Sequence, residues 1–186
     1  MNRPLPPSAL DLNRKDWLDW VKKNRMPAFN ARQILSWLYQ QRNLDPSTWT
    51  NLSLATRTLL RQSFSFRQPE AEWFSDKESA TRKVLLTLGD GERIEAVWLP
   101  HNDHTTFCIS SQVGCALACR FCATGTLSLK RNLSVGEILA QILVLLQQLP
   151  PEQPRYNLVF MGMGEPLLNR EALFAALVLI THPEGL

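Results

Sequence analysis

Apolar residues recur at helical spacing through the first third of the chain and at strand spacing after it. Trp17, Leu18 and Val21 fall on one face of a segment that Asn13 can cap, which predicts a first helix. Pro27 breaks that pattern. Ile34, Leu35 and Leu38, with Trp37 and Tyr39 beside them, predict a second helix near residues 31–41. Leu59 and Leu60 predict a third near 54–62. Trp17, Trp20, Trp37 and Trp49 are expected to build the core of this small helical region rather than to stack on bases.

From about residue 70 the pattern changes. Lys83–Leu88 and Arg93–Leu99 are β-rich runs separated by Gly89, Asp90 and Gly91, a turn signal that predicts a hairpin. Thr105–Ser110 reads as a strand that leads into a cysteine-containing loop. Ser134 with Glu137 fits a capping box opening a helix that is apolar on most sides and runs to about Leu149. Pro150, Pro151 and Pro154 end it. Asn157–Met161 is a short buried strand, Gly162–Pro166 a loop, and 169–181 a further helix. Strand, loop, helix, strand, loop, helix is the order of parallel α/β folds, which place their working loops at the C-terminal ends of the strands. The cysteine loop and the Gly162–Pro166 loop should therefore share one end of the sheet. Three regions follow: a helical accessory domain at 1–67, a β-hairpin linker at 68–104, and an α/β region at 105–186.

Composition allows a packed core, with 45% hydrophobic and 20% charged residues. No apolar run reaches the roughly 18–20 residues that span a bilayer, and residues 1–7 lack a signal-peptide core. The expectation is a cytoplasmic protein with no membrane partner. The net charge of +3 is unevenly spread. Residues 1–67 hold eleven Lys and Arg against four Asp and Glu, whereas the remainder is mildly acidic. A basic front suggests a polyanion contact through Arg14, Lys15, Lys22, Lys23 and Arg25. A solvated helical surface would carry the same charges.

The candidate chemistry lies in Cys115, Cys119 and Cys122, spaced C-x3-C-x2-C. Clustered thiols in a short stretch read as metal binding in a reducing compartment, not as disulfides. Three thiolates can hold an iron–sulfur cluster and leave one iron open to a small molecule. A zinc site completed by His101 or His104 is the competing reading. In the second loop the glycines allow close approach to the backbone. Gly164 and Glu165 can offer backbone groups and a carboxylate to an amino-acid-like cofactor.

Cys115, Cys119 and Cys122, followed by a Gly-Glu-Pro loop after the next strand, resemble the radical S-adenosylmethionine (SAM) superfamily. The surrounding residues sharpen the likeness: Ser110 to Cys119, Phe121 to Gly125, Arg131-Asn132-Leu133 and Gly162 to Asn169. Together with Ala31-Arg32-Gln33-Ile34, Trp37-Leu38-Tyr39 and Thr50 to Ser53, they resemble the adenine-C2 RNA methyltransferases that act on 23S ribosomal RNA and tRNA. The resemblance implies that Cys115, Cys119 and Cys122 bind a 4Fe-4S cluster and that Gly164 and Glu165 contact SAM. It implies that Glu95 accepts the C2 proton and that Cys108 resolves an RNA–enzyme crosslink. It implies an external electron donor, and a methyl group carried by a second catalytic cysteine near the C-terminus. Alternation alone does not decide which way Glu95 points, since Ile94 and Val97 cannot share a face.

The chain departs from that family in two ways. All four cysteines lie between 108 and 122, so the methyl-carrying cysteine is missing. At about 30 residues per unit, residues 105–186 supply only the first two strand–helix units of the family's (β/α)6 barrel. The expectation is an α/β chain holding a truncated radical SAM barrel, inactive in methyl transfer by itself, with a second chain as candidate supplier of the missing half. The alternative is a non-catalytic iron–sulfur or zinc RNA-binding fragment.

Overall fold

A computed structural model describes residues 6–75, 79–149, 155–183 and 185–186. The chain divides into two units, Met1–Gln68 with Ala175–Leu186, and Pro69–Phe174.

The first unit is helical. Helix α1 (Arg14–Lys23) starts where Asn13 accepts hydrogen bonds from the N–H groups of Lys15 and Asp16. Asp16 closes a capping box by accepting from the Asn13 N–H. Trp17 and Val21 are buried as expected, whereas Leu18 is exposed. Helix α2 (Phe29–Leu35) runs on into a π-helical turn, Ser36–Gln40, a widening that periodicity does not announce. Helix α3 (Leu54–Ser63) is capped by Ser53. The tryptophans build the core: Trp17 lies edge-on to Phe64 at 5.0 Å, and Trp49 stacks on Trp37 at 6.2 Å.

The second unit is built on one five-stranded sheet in the order β1-β2-β3-β4-β7. Its strands are β1 (Glu70–Ser75), β2 (Arg82–Thr87), β3 (Arg93–Pro100), β4 (Thr105–Cys108) and β7 (Tyr156–Val159). The β2–β3 hairpin forms as its turn sequence predicts. It is not a separate linker, because β3 pairs antiparallel with β4 and β4 pairs parallel with β7. Strand β1 adds an edge that the sequence pattern hides, since five of its six residues are exposed and show no apolar face.

On one side of the sheet Val84, Leu86, Ile94, Ala96, Trp98 and Phe107 are buried. Helix α4 (Val135–Leu146) opens with the Ser134–Glu137 capping box and is buried along almost its whole length. Its Gln141 reaches the end of β4. A short ribbon, β5 (Gln112–Val113) with β6 (Arg131–Asn132), closes the base of the cysteine loop. Helix α5 (Arg170–Thr181) follows a 3-10 turn at Pro166–Asn169. The three prolines expected to end α4 lie outside the described residues. Among the described residues no helix is long and apolar enough to cross a membrane.

Candidate active site

Two loops leave the C-terminal ends of β4 and β7 and are stitched together by buried polar groups. Ser110 Oγ donates to the Glu95 carbonyl at 2.6 Å and accepts from the Met163 N–H at 2.8 Å. The Ser111 N–H donates to the Met163 carbonyl at 2.8 Å. Gln112 Oε1 accepts from the Glu165 N–H at 2.9 Å, while Gln112 Nε2 donates to Asn132. Asn169 Nδ2 donates to the carbonyls of Ser111 and Leu133, both at 2.9 Å. Gln141, fully buried on α4, accepts from the Ser110 N–H and donates to its carbonyl. All but the Gln112–Asn132 bond satisfy backbone groups that would otherwise be stranded away from water, which costs roughly 1–3 kcal/mol per group. The two loops therefore share one end of the sheet, as the strand–loop–helix order predicts. Of the residues that do the joining, Gln141 left the clearest trace in the sequence, as a polar position within the apolar run that follows Glu137.

The loop from Gly114 to Lys130 carries all three clustered thiols. Its start needs glycine: Gly114 has φ +77°, and a Cβ there would fall 2.1 Å from the Ser128 carbonyl oxygen. Ala118, between the first two cysteines, takes a left-handed φ of +47°, an uncommon conformation outside glycine that turns the chain sharply. Cys115, Cys119 and Cys122 are free and half-buried. Among the described residues no three His, Cys, Asp or Glu side chains are gathered to hold a metal ion. The structure thus puts the thiols in one loop without closing them into a ligand set. The donors still suit the expected group: three soft sulfurs, none in a disulfide, match a cluster that keeps one iron open. His101 and His104 stack on each other at 4.4 Å in the β3–β4 turn. That turn sits at the opposite end of β4 from the cysteine loop, so the expectation that either histidine completes a zinc site fails on topology.

Register settles where Glu95 points. On β3, Ile94, Ala96 and Trp98 are buried, so Glu95 and Val97 face the other way. Val97 lies opposite Cys108 on β4, which puts Cys108 on the same open face as Glu95. Glu95 Oε1 accepts from Lys83 Nζ at 2.9 Å, a half-exposed pair of modest strength. Burial pushes the Cys108 thiol pKa up, against a smaller opposing pull from a hydrogen bond with the Met161 backbone. A cavity of about 800 Å³ opens beside this face, lined by Glu95, Leu85, Thr124, Lys130 and Met163 among others. It brings the Glu95 strand, the cysteine loop and the second loop to one space. Gly164, at φ +96°, packs its backbone onto Gln112. Glu165 caps the following turn by accepting from the Leu167 N–H at 3.0 Å.

Comparison with known proteins assigns the class first. Residues 109–185 match the model of the radical SAM superfamily. Residues 9–65 match the ribosomal RNA large subunit methyltransferase N-terminal domain. Residues 109–185 thus belong to the radical SAM superfamily, and residues 9–65 to the N-terminal domain family of the ribosomal RNA large subunit methyltransferases. It is 47% identical to the dual-specificity RNA methyltransferase RlmN of Solidesulfovibrio magneticus, over 86% of this chain and 46% of the relative. It is 40% identical to the RlmN of Bdellovibrio bacteriovorus, over 97% of this chain and 45% of that protein. A crystal structure of a radical SAM methyltransferase from Sphaerobacter thermophilus superposes with a TM-score of 0.88 at 34% identity. The match covers 97% of this chain and 53% of that one. The chain spans about half the length of the curated relatives it matches. The family implies a 4Fe-4S cluster and SAM as cofactors.

Proposed function

We propose that this chain is the cofactor-binding portion of an RNA methyltransferase that methylates C2 of adenine in 23S ribosomal RNA and tRNA. The observation that carries this reading is the shared open face: Glu95 and Cys108 lie on it, Cys108 opposite Val97 two residues along β3 from Glu95, and Glu95 lines a cavity walled by both special loops. Cys115, Cys119 and Cys122 would hold the cluster, and Gly164 and Glu165 would hold SAM. When bound, these groups supply one-electron chemistry, which a carbon as poorly nucleophilic as adenine C2 requires. The chain's own residues do the rest. Glu95 takes the C2 proton, its carboxylate steadied by Lys83. Burial favours the protonated thiol of Cys108 in the resting chain; to resolve the crosslink it would give up that proton and bond to the sulfur of the methyl-carrying cysteine as the carbon–sulfur bond to the RNA breaks, forming a disulfide. The basic accessory region 1–67 grips the RNA. Strand–helix units β4–α4 and β7–α5 would be the first two of a six-unit barrel, completed by further chain or by a second chain. An external donor supplies electrons, and the setting is the cytoplasm.

A second reading is favoured by one observation: the four cysteines all lie between 108 and 122, so none remains to carry the methyl group. In that reading the isolated chain binds an iron–sulfur cluster or zinc, together with RNA, without turnover. Anaerobic reconstitution with iron and sulfide, followed by spectra of the reduced cluster before and after SAM, tests the cofactor site. A four-iron signal that shifts with SAM is expected. A zinc-loaded or cluster-free protein would overturn the cluster assignment. Incubation with RNA, SAM and reductant is expected to yield no 2-methyladenosine from the 186-residue chain alone. Its formation would overturn the binding-only reading.

A further inference from the structure

The loop that carries the thiols is held at its base by a short ribbon and by a few backbone hydrogen bonds. Two strand pairs, Gln112 with Asn132 and Val113 with Arg131, close its base, and the N–H groups of Cys115 and Lys130 donate across it to the carbonyls of Leu127 and Val113. So short a ribbon is marginal in water by itself. Most residues from 116 to 130 are exposed, so little apolar burial fixes the loop. Side-chain contacts add to this hold on its return limb.

That limb ends at Lys130 and Arg131, and both reach across to the tip of the β2–β3 hairpin. Lys130 Nζ donates to both carboxylate oxygens of Glu92, at 2.9 and 2.7 Å. Arg131 Nε donates to Asp90 Oδ2 at 2.8 Å. The same guanidinium makes two parallel bonds to Glu137, both 2.8 Å, and Glu137 is the residue that closes the α4 capping box. One arginine thus ties hairpin tip, loop exit and helix start. The fork-to-fork pairing with Glu137 is the strong member, because it is bidentate and partly buried. The Lys130–Glu92 pair is more exposed and weaker alone. Gly91, Glu92 and Lys130 all line the cavity described above, so the contacts lie along its edge.

We propose that Asp90 and Glu92 at the hairpin tip clamp the return limb of the cysteine loop through Arg131 and Lys130, limiting the freedom of the loop from which its thiols must close on the cluster. These are positioning residues and touch neither cluster nor substrate. The clamp also fixes the strand bearing Glu95 relative to the thiol loop. The cluster part rests on the function proposed above; the loop-holding part does not.

The test uses the full chain and the variants Glu92→Lys, Lys130→Glu and the swapped double variant. Two readouts are taken: hydrogen exchange of the 114–130 amides without cluster, and iron and sulfide retained after anaerobic reconstitution. Each single reversal is expected to speed loop exchange about fivefold, the scale of one partly exposed ion pair in a locally opening segment. Each is also expected to lower retained iron. The double variant, which restores opposite charges, is expected to recover both. Unchanged exchange in the single variants, or no recovery in the double, would overturn the clamp. If the exchange pattern holds but the wild-type chain takes up no iron, the clamp stands and the cluster reading falls.

Discussion

Gly164 is the residue at which the second loop leaves no room for a side chain. At φ +96° its missing Cβ would sit 2.5 Å from the Gln112 Cβ, and Gln112 in turn holds the Glu165 N–H. Gly164→Ala therefore combines backbone strain with displacement of a buried network. A loss of about 1–3 kcal/mol is expected, measured as a lower midpoint in urea; an unchanged midpoint would show that the loop relaxes freely. Cys108 makes a different kind of demand. Burial raises its thiol pKa, so the folded chain keeps a proton that the unfolded chain gives up first. Its stabilising share is complete below the ordinary thiol value, about 8.5, and is lost as pH rises through the folded value. Stability of the wild type should thus fall more steeply between neutral and alkaline pH than that of Cys108→Ala. Equal slopes would contradict the assignment. The thiol spacing was plain in the sequence at this scale. The direction of Glu95 was not, because Ile94 and Val97 gave conflicting signals and only pairing with β4 resolves them.

Among the elements, α4 shows how one polar residue can set the position of a helix. Its buried positions are otherwise nearly all apolar, yet Gln141 is fully buried and holds both backbone groups of Ser110. Gln141→Leu keeps the apolar pattern but strands an N–H and a C=O. A loss of about 2–4 kcal/mol is expected, together with faster hydrogen exchange at Ser110. Gain of stability would mean that the helix is placed by apolar packing alone. The caps on α1 and α4 were readable because Asn13 and Ser134 stand directly before periodic apolar positions. The hairpin was readable from Gly89-Asp90-Gly91. Strand β1 was not, because Glu70, Glu72 and its exposed neighbours show no buried face. The β5–β6 ribbon is too short to show any period. The ion pairs from Lys130 and Arg131 to the hairpin tip join residues about forty positions apart, a separation over which local pattern carries no information.

For the molecule taken whole, the contrast between the two edges of the sheet decides how the chain behaves in solution. Strand β1 carries Glu70 and Glu72, exposed carboxylates of the kind that discourage edge-to-edge pairing. Strand β7, Tyr156-Asn157-Leu158-Val159, carries no charge and stands at the end of the sheet, paired among the described residues with β4. Close to it in sequence, Met161 is 80% exposed, and Leu167, Leu168 and Phe174 are exposed as well. An uncharged strand at the end of a sheet invites another strand. The chain is therefore expected to self-associate as its concentration rises. Asn157 lies opposite Thr106 and is exposed, so Asn157→Lys adds a charge at that edge without entering the buried face. Sedimentation over a concentration series should show the wild type growing in mass while Asn157→Lys stays smaller. A wild type that remains monomeric throughout would show that the edge is covered by the chain itself. The same edge is where the proposed barrel would continue. A polypeptide that supplies the next parallel strand should therefore suppress self-association of the wild type, and Asn157→Lys should weaken its binding.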